Sequence, residues 1–204
     1  MITYHDLEQG SDDWLNLRMK FITATKFGLV LSKGAGRKTY MLEKIAEMLT
    51  GQRKENYTNA AMEWGTETEP QARACYEFVR DVEVKQTGFV TNDKYPGVGI
   101  SPDGLIDDDG LIEIKCPNTT THLDYIIRRS MPAKYKPQVQ GQLWITERKW
   151  CDFVSFDPRV MDPDLQMFVV RVHRDDEYIS GLAKSVEDFK SELDEILNKL
   201  GAQK

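Results

Sequence analysis

Apolar and polar positions along this chain repeat first at a helical period and later at a strand period. Residues 11–31 read as two helical pieces: Ser11 can cap a helix that runs through Arg18, and a second helix begins near Thr25. Lys33-Gly-Ala-Gly-Arg-Lys38 reads as a basic, glycine-containing loop. Tyr40 to Leu49 is amphipathic, with Met41, Ile45, Met48 and Leu49 on one face and Gly51 as its stop. Ala60 to Arg80 predicts a long helix with apolar positions at Ala72, Cys75, Tyr76 and Val79, and with Pro70 as a candidate break.

The period then shortens to two. Val82 to Val90, Val98 to Ile100 and Leu111 to Ile114 alternate and are rich in β-branched residues, so they predict strands. A helix is expected over 121–130, and another from Pro137 to Ile145, opened by proline in its first turn. Trp150 to Phe156 and Met167 to His173 predict two further strands. From Asp175 the apolar residues fall at 179, 182, 186, 189, 193, 196, 197 and 200, a spacing of threes and fours that marks a long helix laid on the body. Helices, a mixed sheet with interleaved helices, and a covering helix make an α/β (α+β) fold. With no repeat or Gly/Ser/Pro-rich linker, residues 1–204 are expected to form one domain.

Composition narrows the class. Of 204 residues, 40% are hydrophobic and 29% charged, the balance of a folded globular chain rather than a disordered one. No apolar run approaches the ~20 residues needed to cross a bilayer, and residues 1–14 lack the flanks of a signal peptide. Three cysteines without a CxxC argue against a disulfide framework or a cysteine-built metal site, so a cytoplasmic location is expected. The net charge of −6 would discourage a nucleic-acid partner, but its distribution is uneven. Residues 14–54 carry nine Lys and Arg against two acids, and residues 115–149 carry seven against two. A polyanion can bind such locally basic surfaces, because screening limits distant charges to ~8–10 Å. Two ordinary solvated faces are the alternative.

The chemistry concentrates in Ser101-Pro-Asp-Gly104 and Ile112-Glu-Ile-Lys115. Alternation puts Glu113 and Lys115 on one strand face, with Ile112 and Ile114 pointing into the core on the other. A four-residue Asp107–Gly110 turn would set Asp103 opposite Ile114. A one-residue irregularity at Pro102-Asp-Gly104 would instead bring Asp103 opposite Glu113 and onto its face. Adjacent carboxylates repel unless a cation lies between them, which suits Mg²⁺, a hard cation that takes one or two carboxylates and engages phosphates. The alternative is an exposed hairpin with solvated charges. His5, His122 and His173 are scattered, which disfavours a histidine-built nuclease, and with no P-loop no nucleotide cofactor is expected.

Seven features, those two stretches among them, occur in one order along the chain: Gln9-Gly-Ser-Asp-Asp-Trp14 with Leu17-Arg18 and Ile22-Thr-Ala-Thr25; Glu63-Trp-Gly-Thr-Glu-Thr-Glu69; Ser101-Pro-Asp-Gly-Leu105; Ile112-Glu-Ile-Lys-Cys-Pro117; Tyr135-Lys-Pro-Gln-Val-Gln140; Leu143-Trp144; and Asp157-Pro158-Arg159. In these the sequence resembles the lambda exonuclease and YqaJ-like viral recombinase group of the restriction-endonuclease-like nucleases. The resemblance implies a restriction-endonuclease-like core, with a mixed sheet and flanking helices.

It also implies roles residue by residue. Asp103, Glu113 and the Ile114 carbonyl would be metal ligands, with Glu69 the extra acid near a second metal. Lys115 would be the catalytic lysine, and Gln138 would help place the attacking water. Arg18, Thr23 and Thr25 would hold a terminal 5′-phosphate, where the family usually has serine in place of Thr25; a guanidinium and hydroxyls near a helix start suit that task. Met62 falls where the family carries an apolar wedge, and Lys33, Arg37 and Lys38 fit a DNA-contacting loop. Cys116 is expected to be a buried filler. The implied activity is a Mg²⁺-dependent (Mn²⁺ as a substitute) 5′→3′ exonuclease on linear double-stranded DNA. It would release 5′-mononucleotides and leave 3′ overhangs for a strand-annealing recombinase, as a homotrimeric ring in a bacterial or phage-infected cell. An endonuclease, a nuclease of other polarity, or a catalytically dead DNA-binding module remain the alternatives.

Overall fold

The computed structural model describes residues 1–53 and 59–201. Lys54, at the end of the first basic segment, lies outside them. In chain order the elements are β1 (Ile2–His5), α1 (Asp12–Met19), β2 (Ile22–Thr23), α2 (Phe27–Leu31), α3 (Ala35–Thr50), α4 (Ala60–Arg80), β3 (Val84–Lys85), β4 (Phe89–Asn92), β5 (Val98–Ile100), β6 (Gly104–Ile106) and β7 (Gly110–Lys115). Then follow α5 (Thr119–Arg128), α6 (Lys136–Thr146), β8 (Trp150–Phe156), β9 (Met167–His173) and α7 (Asp176–Lys199). Local chemistry marks several ends. Ser11, Asn59, Asn118 and Asp175 each accept an N–H of the first helical turn, and Gly51 ends α3 in the left-handed conformation.

The fold is α/β with two mixed sheets, ordered β1-β4-β5-β2 and β3-β6-β7-β8-β9. In the five-stranded sheet only β7 and β8 run parallel, joined by the crossover that contains α5 and α6. Helix α6 lies between the sheets. Its Val139 and Leu143 pack on Leu105, Leu111 and Cys151 of the larger sheet, while Trp144 and Ile145 join Val90, Val98 and Ile100 of the smaller one. The fit is tight at Gly141, where an added Cβ would sit 2.5 Å from Phe27 Cδ2. Helix α4 covers the opposite face of the larger sheet through Ala72 and Tyr76, against Ile106, Ile112, Ile114 and Val154. Helix α7 buries Ile179, Leu182, Val186, Phe189, Leu193 and Leu197 against α2 and α3, as its spacing predicts.

Several expectations need correction. Val82 to Val90 is not one strand: β3 and β4 belong to different sheets, and Gly88, in the break between them, has no room for a Cβ beside the Leu7 carbonyl. The basic stretch 33–38 is mostly helical, because α3 begins at Ala35 and gains packing on α7, where Tyr40 stacks on Phe189 at 5.4 Å. Pro70 does not break α4. It faces solvent, while Thr68, Ala72 and Tyr76 on the buried face hold the two halves in line. Met48, Leu49, Val79 and Leu200 are exposed. Strand β1 shows too little alternation over four residues to be seen in the sequence.

Candidate active site

The β6–β7 hairpin sets the site. Ile106 pairs with Gly110, Leu105 with Leu111 and Gly104 with Ile112, so the loop is three residues, Asp107–Asp109, rather than four. Asp107 accommodates this with φ 45°, a left-handed conformation that Asp tolerates better than most residues. Arg148 secures the loop by donating from one nitrogen to the carbonyls of Ile106, Asp107 and Gly110 at 2.7–3.1 Å. Continued by one pair, this register brings Asp103 opposite Glu113. The expected irregularity therefore lies in the turn, not at Pro102–Gly104. Gly104 is still required, because a Cβ there would collide with Val84 Cγ1.

Asp103 Oδ2 accepts the Ile114 N–H at 2.6 Å. Glu113, 1% exposed, accepts from Lys115 Nζ and from Gln138 Nε2 (2.6 Å) on Oε1, and from Gln142 Nε2 (2.7 Å) on Oε2. Lys115 also lies over the Tyr135 ring at 5.6 Å. Burial and the neighbouring Glu113 charge push the Asp103 carboxyl well above the usual carboxylate range, with Lys115 opposing the shift. Burial works against the charged Lys115, but Glu113 and Asp103 outweigh it and raise its pKa. Glu69 on α4 is raised by burial and held down by Arg73, its ion-pair partner at 2.5 Å; Glu113 and Lys115 also act on it, so it faces the same cluster. Cys116 is pushed up to about 12 by burial and by the Glu69 and Asp103 charges, which suits a filler and not a nucleophile.

With its carboxyls ionised the cluster would carry more negative than positive charge, an arrangement that a cation would relieve. Among the described residues no three His, Cys, Asp or Glu side chains are grouped so that they could hold a metal ion alone. A metal here would rely on the two carboxylates plus backbone, water or phosphate oxygens, a donor set that suits Mg²⁺.

A second site adjoins the first. Arg18 donates to Ser101 Oγ at 2.9 Å and stacks on the Trp14 ring at 4.0 Å, while Trp14 Nε1 donates to the same hydroxyl at 3.1 Å. Among the described residues no carboxylate pairs with Arg18, and burial pushes its pKa down to about 10. Thr23 and Thr25 hydroxyls lie 3.2 Å apart; Thr23 lines the pocket and Thr25 is exposed beside it. The pocket holds about 240 Å³; its wall also carries Lys26, Lys44 and Arg53 and one acid, Glu47, with Lys44 paired to Glu47 at 2.9 Å and Arg53 to Asp12 at 2.8 Å. Ser101 is two residues from Asp103, so their Cα atoms are at most ~7 Å apart.

The model of the YqaJ-like viral recombinase domain matches residues 13–149, which span both sites. The chain belongs to this family. Its fold is similar to that of an alkaline exonuclease (LHK-Exo) from Laribacter hongkongensis, at 41% identity and TM-score 0.89, covering 94% of this chain and 96% of that one. That exonuclease has also been solved in complex with dAMP. A phage-related exonuclease from Haemophilus somnus shares the fold at TM-score 0.69 and 18% identity, over 91% and 98% of the two chains. An uncharacterized protein of Acanthamoeba polyphaga mimivirus is 28% identical over 72% of this chain, which spans 29% of that protein's length.

Within this YqaJ-like chain the remaining candidates are dispersed. Met62 is 52% exposed at the start of α4, whose N–H is capped by Asn59. Lys33 and Lys38 are exposed, but Arg37 turns to α7, pairing with Glu192 at 2.6 Å over Phe189. In the second basic segment Arg128 pairs with Asp124, Lys136 with Asp175 and Lys149 with Asp109. Asp157 and Arg159 form a clamp, in which Asp157 also accepts from Thr119 at 2.6 Å and Arg159 reaches the Pro117 carbonyl and the Trp64 ring. His122 is buried between Ser155 Oγ and the Leu165 carbonyl, a fixing role for α5. Ser101 and Trp14 lie in motifs read from the sequence but have no role assigned there, and Gln142 lies outside those motifs. The signal for Gln142 is its i, i+4 spacing from Gln138, and for Ser101 its place two residues before Asp103. Among the described residues no helix is long and apolar enough to cross a membrane.

Proposed function

We propose that this chain is a Mg²⁺-dependent exonuclease that degrades one strand of linear duplex DNA from its 5′ end. The observation that carries the reading is the adjacency of two unlike sites, the Asp103–Glu113–Lys115 cluster and the pocket of Arg18, in which the one acid, Glu47, is taken up by Lys44, joined by Ser101–Asp103. An end-directed enzyme needs both: one site to cut and one to hold the terminal phosphate. The similar exonuclease solved with dAMP supports a 5′-mononucleotide product.

Asp103, Glu113 and the Ile114 carbonyl would hold the metal, with Glu69 close to a second. Bound there, Mg²⁺ supplies Lewis-acid polarisation of the scissile phosphate and acidifies a water. Gln138, fixed on Glu113, orients the attacking water by hydrogen bonding. Lys115 offers its ammonium to the charge that develops on the phosphoryl oxygens. Water oxygen bonds to phosphorus, the P–O3′ bond breaks, and the departing 3′-oxygen takes a proton. The phosphate stays on the next nucleotide, so each cut regenerates the 5′-phosphate that Arg18, Ser101, Thr23 and Thr25 receive. This reading extends to a homotrimer threaded by one duplex, with a strand-annealing recombinase taking the 3′ overhang.

Linear and covalently closed duplexes incubated with Mg²⁺, with a chelator as control, test the activity. Loss of the linear form alone is expected; cutting of closed circles would favour an endonuclease.

A further inference from the structure

Gln142 is fully buried on α6, one turn after Gln138. The two amides divide Glu113 between them, one on each carboxylate oxygen. Gln138 and Lys115 share Oε1, and Gln142 holds Oε2. The amide oxygen of Gln142 itself has no hydrogen-bond partner among the described residues. An unpaired buried carbonyl is costly, because it has given up its hydrogen bonds to water without replacement. Turning the amide over would not relieve this, because it would set carbonyl oxygen against carboxylate, acceptor against acceptor. A leucine or methionine would fill the same interior position without that cost.

What the glutamine provides is a neutral donor to a carboxylate whose terminal torsion is otherwise broad and two-fold. A lysine or arginine would also fix the carboxylate, but would add a charge in competition with a bound cation. We propose that Gln142 is a positioning residue that locks the plane of the Glu113 carboxylate and thereby sets how tightly the site takes a divalent cation. The proposal rests on the nuclease reading above for its consequence on turnover, though not for its consequence on metal affinity.

Gln142→Met keeps the volume and removes the donor. Calorimetric titration with Mn²⁺ should show affinity weakened about ten- to a hundredfold, with kcat reduced over a similar range. KM for DNA should stay at its wild-type value, and the metal-free variant should remain folded with a single cooperative thermal transition. Wild-type Mn²⁺ affinity in the folded variant would overturn the proposal, as would a loss of activity that only follows a loss of folded protein. Should the variant fail to fold, ¹⁵N-labelled wild-type chain gives a second test. The Gln142 side-chain amide signal should shift on Mg²⁺ addition, in step with the Glu113 backbone signal; a signal that ignores Mg²⁺ would overturn the proposal. A chain whose metal affinity depends on Gln142 but that cleaves no DNA would refute the nuclease reading and leave this one standing.

Discussion

Asp103 stands opposite Glu113 because the β6–β7 loop holds three residues, which shifts the register by one relative to a four-residue turn. In a strand that shift moves a side chain to the other face, so the turn decides whether the two carboxylates meet. Once together they tie β6, β7 and α6 into one charged cluster, and each member offers a separate test.

Asp103→Asn and Glu113→Gln should each abolish hydrolysis while DNA binding persists. Losing ~4 kcal/mol of transition-state stabilisation slows turnover about a thousandfold. Single-turnover rates at saturating Mg²⁺, together with a DNA-binding titration, check this; near-normal turnover in either variant contradicts the assignment.

Arg18→Ala should erase a preference for 5′-phosphorylated ends. A charge-assisted contact is worth roughly 1.5–3 kcal/mol, or about a ten- to hundredfold effect on the rate ratio of 5′-phosphate to 5′-hydroxyl substrates. A wild-type ratio of one would remove the pocket from the account.

Gly141→Ala should destabilise the fold through overpacking against Phe27, by ~1–3 kcal/mol. Thermal unfolding reads this directly. Because Gln138 and Gln142 flank Gly141 on α6, activity at permissive temperature should also fall; an unchanged melting temperature would contradict the close packing of α2 on α6.

Asp157 supplies a pH test. Burial alone would raise its pKa, but the Arg159 and Thr119 hydrogen bonds hold it down at about 2. A folded value below the unfolded one means the stabilisation is complete above the ordinary carboxylate value and lost as pH falls towards about 2. Asp157→Asn should therefore lower stability at neutral pH, and the gap to wild type should narrow on acidification. A constant gap across that range would show that the Asp157 charge is not what the clamp uses.

The long amphipathic helices, the two late strands and the Glu113/Lys115 face were legible in the sequence because each rests on a period repeated several times. The hairpin register was not, since a three- or four-residue loop fits the same Asp-Asp-Asp-Gly run and only tertiary ties such as Arg148 select one. The start of α3 was hidden for a related reason: glycines and basic residues read as loop, yet packing on α7 carries the helix through them. Charge runs read alone miss partners distant in sequence: within 115–149, Lys136 pairs with Asp175 and Lys149 with Asp109. Ser101 opens a motif without a role of its own there, and Gln142 lies outside the motifs. Each acquires meaning only from the neighbour that folding brings to it, Arg18 for one and Glu113 for the other.

The most direct measurement is strand polarity with product identity. A linear duplex phosphorylated at both 5′ ends, labelled at one 5′ end in one sample and at one 3′ end in another, is digested with Mg²⁺ and its products are resolved by size. The account predicts early release of the 5′ label as a mononucleotide, with the 3′ label retained in long strands. Early loss of the 3′ label, or release of the 5′ label in oligonucleotides, would contradict it.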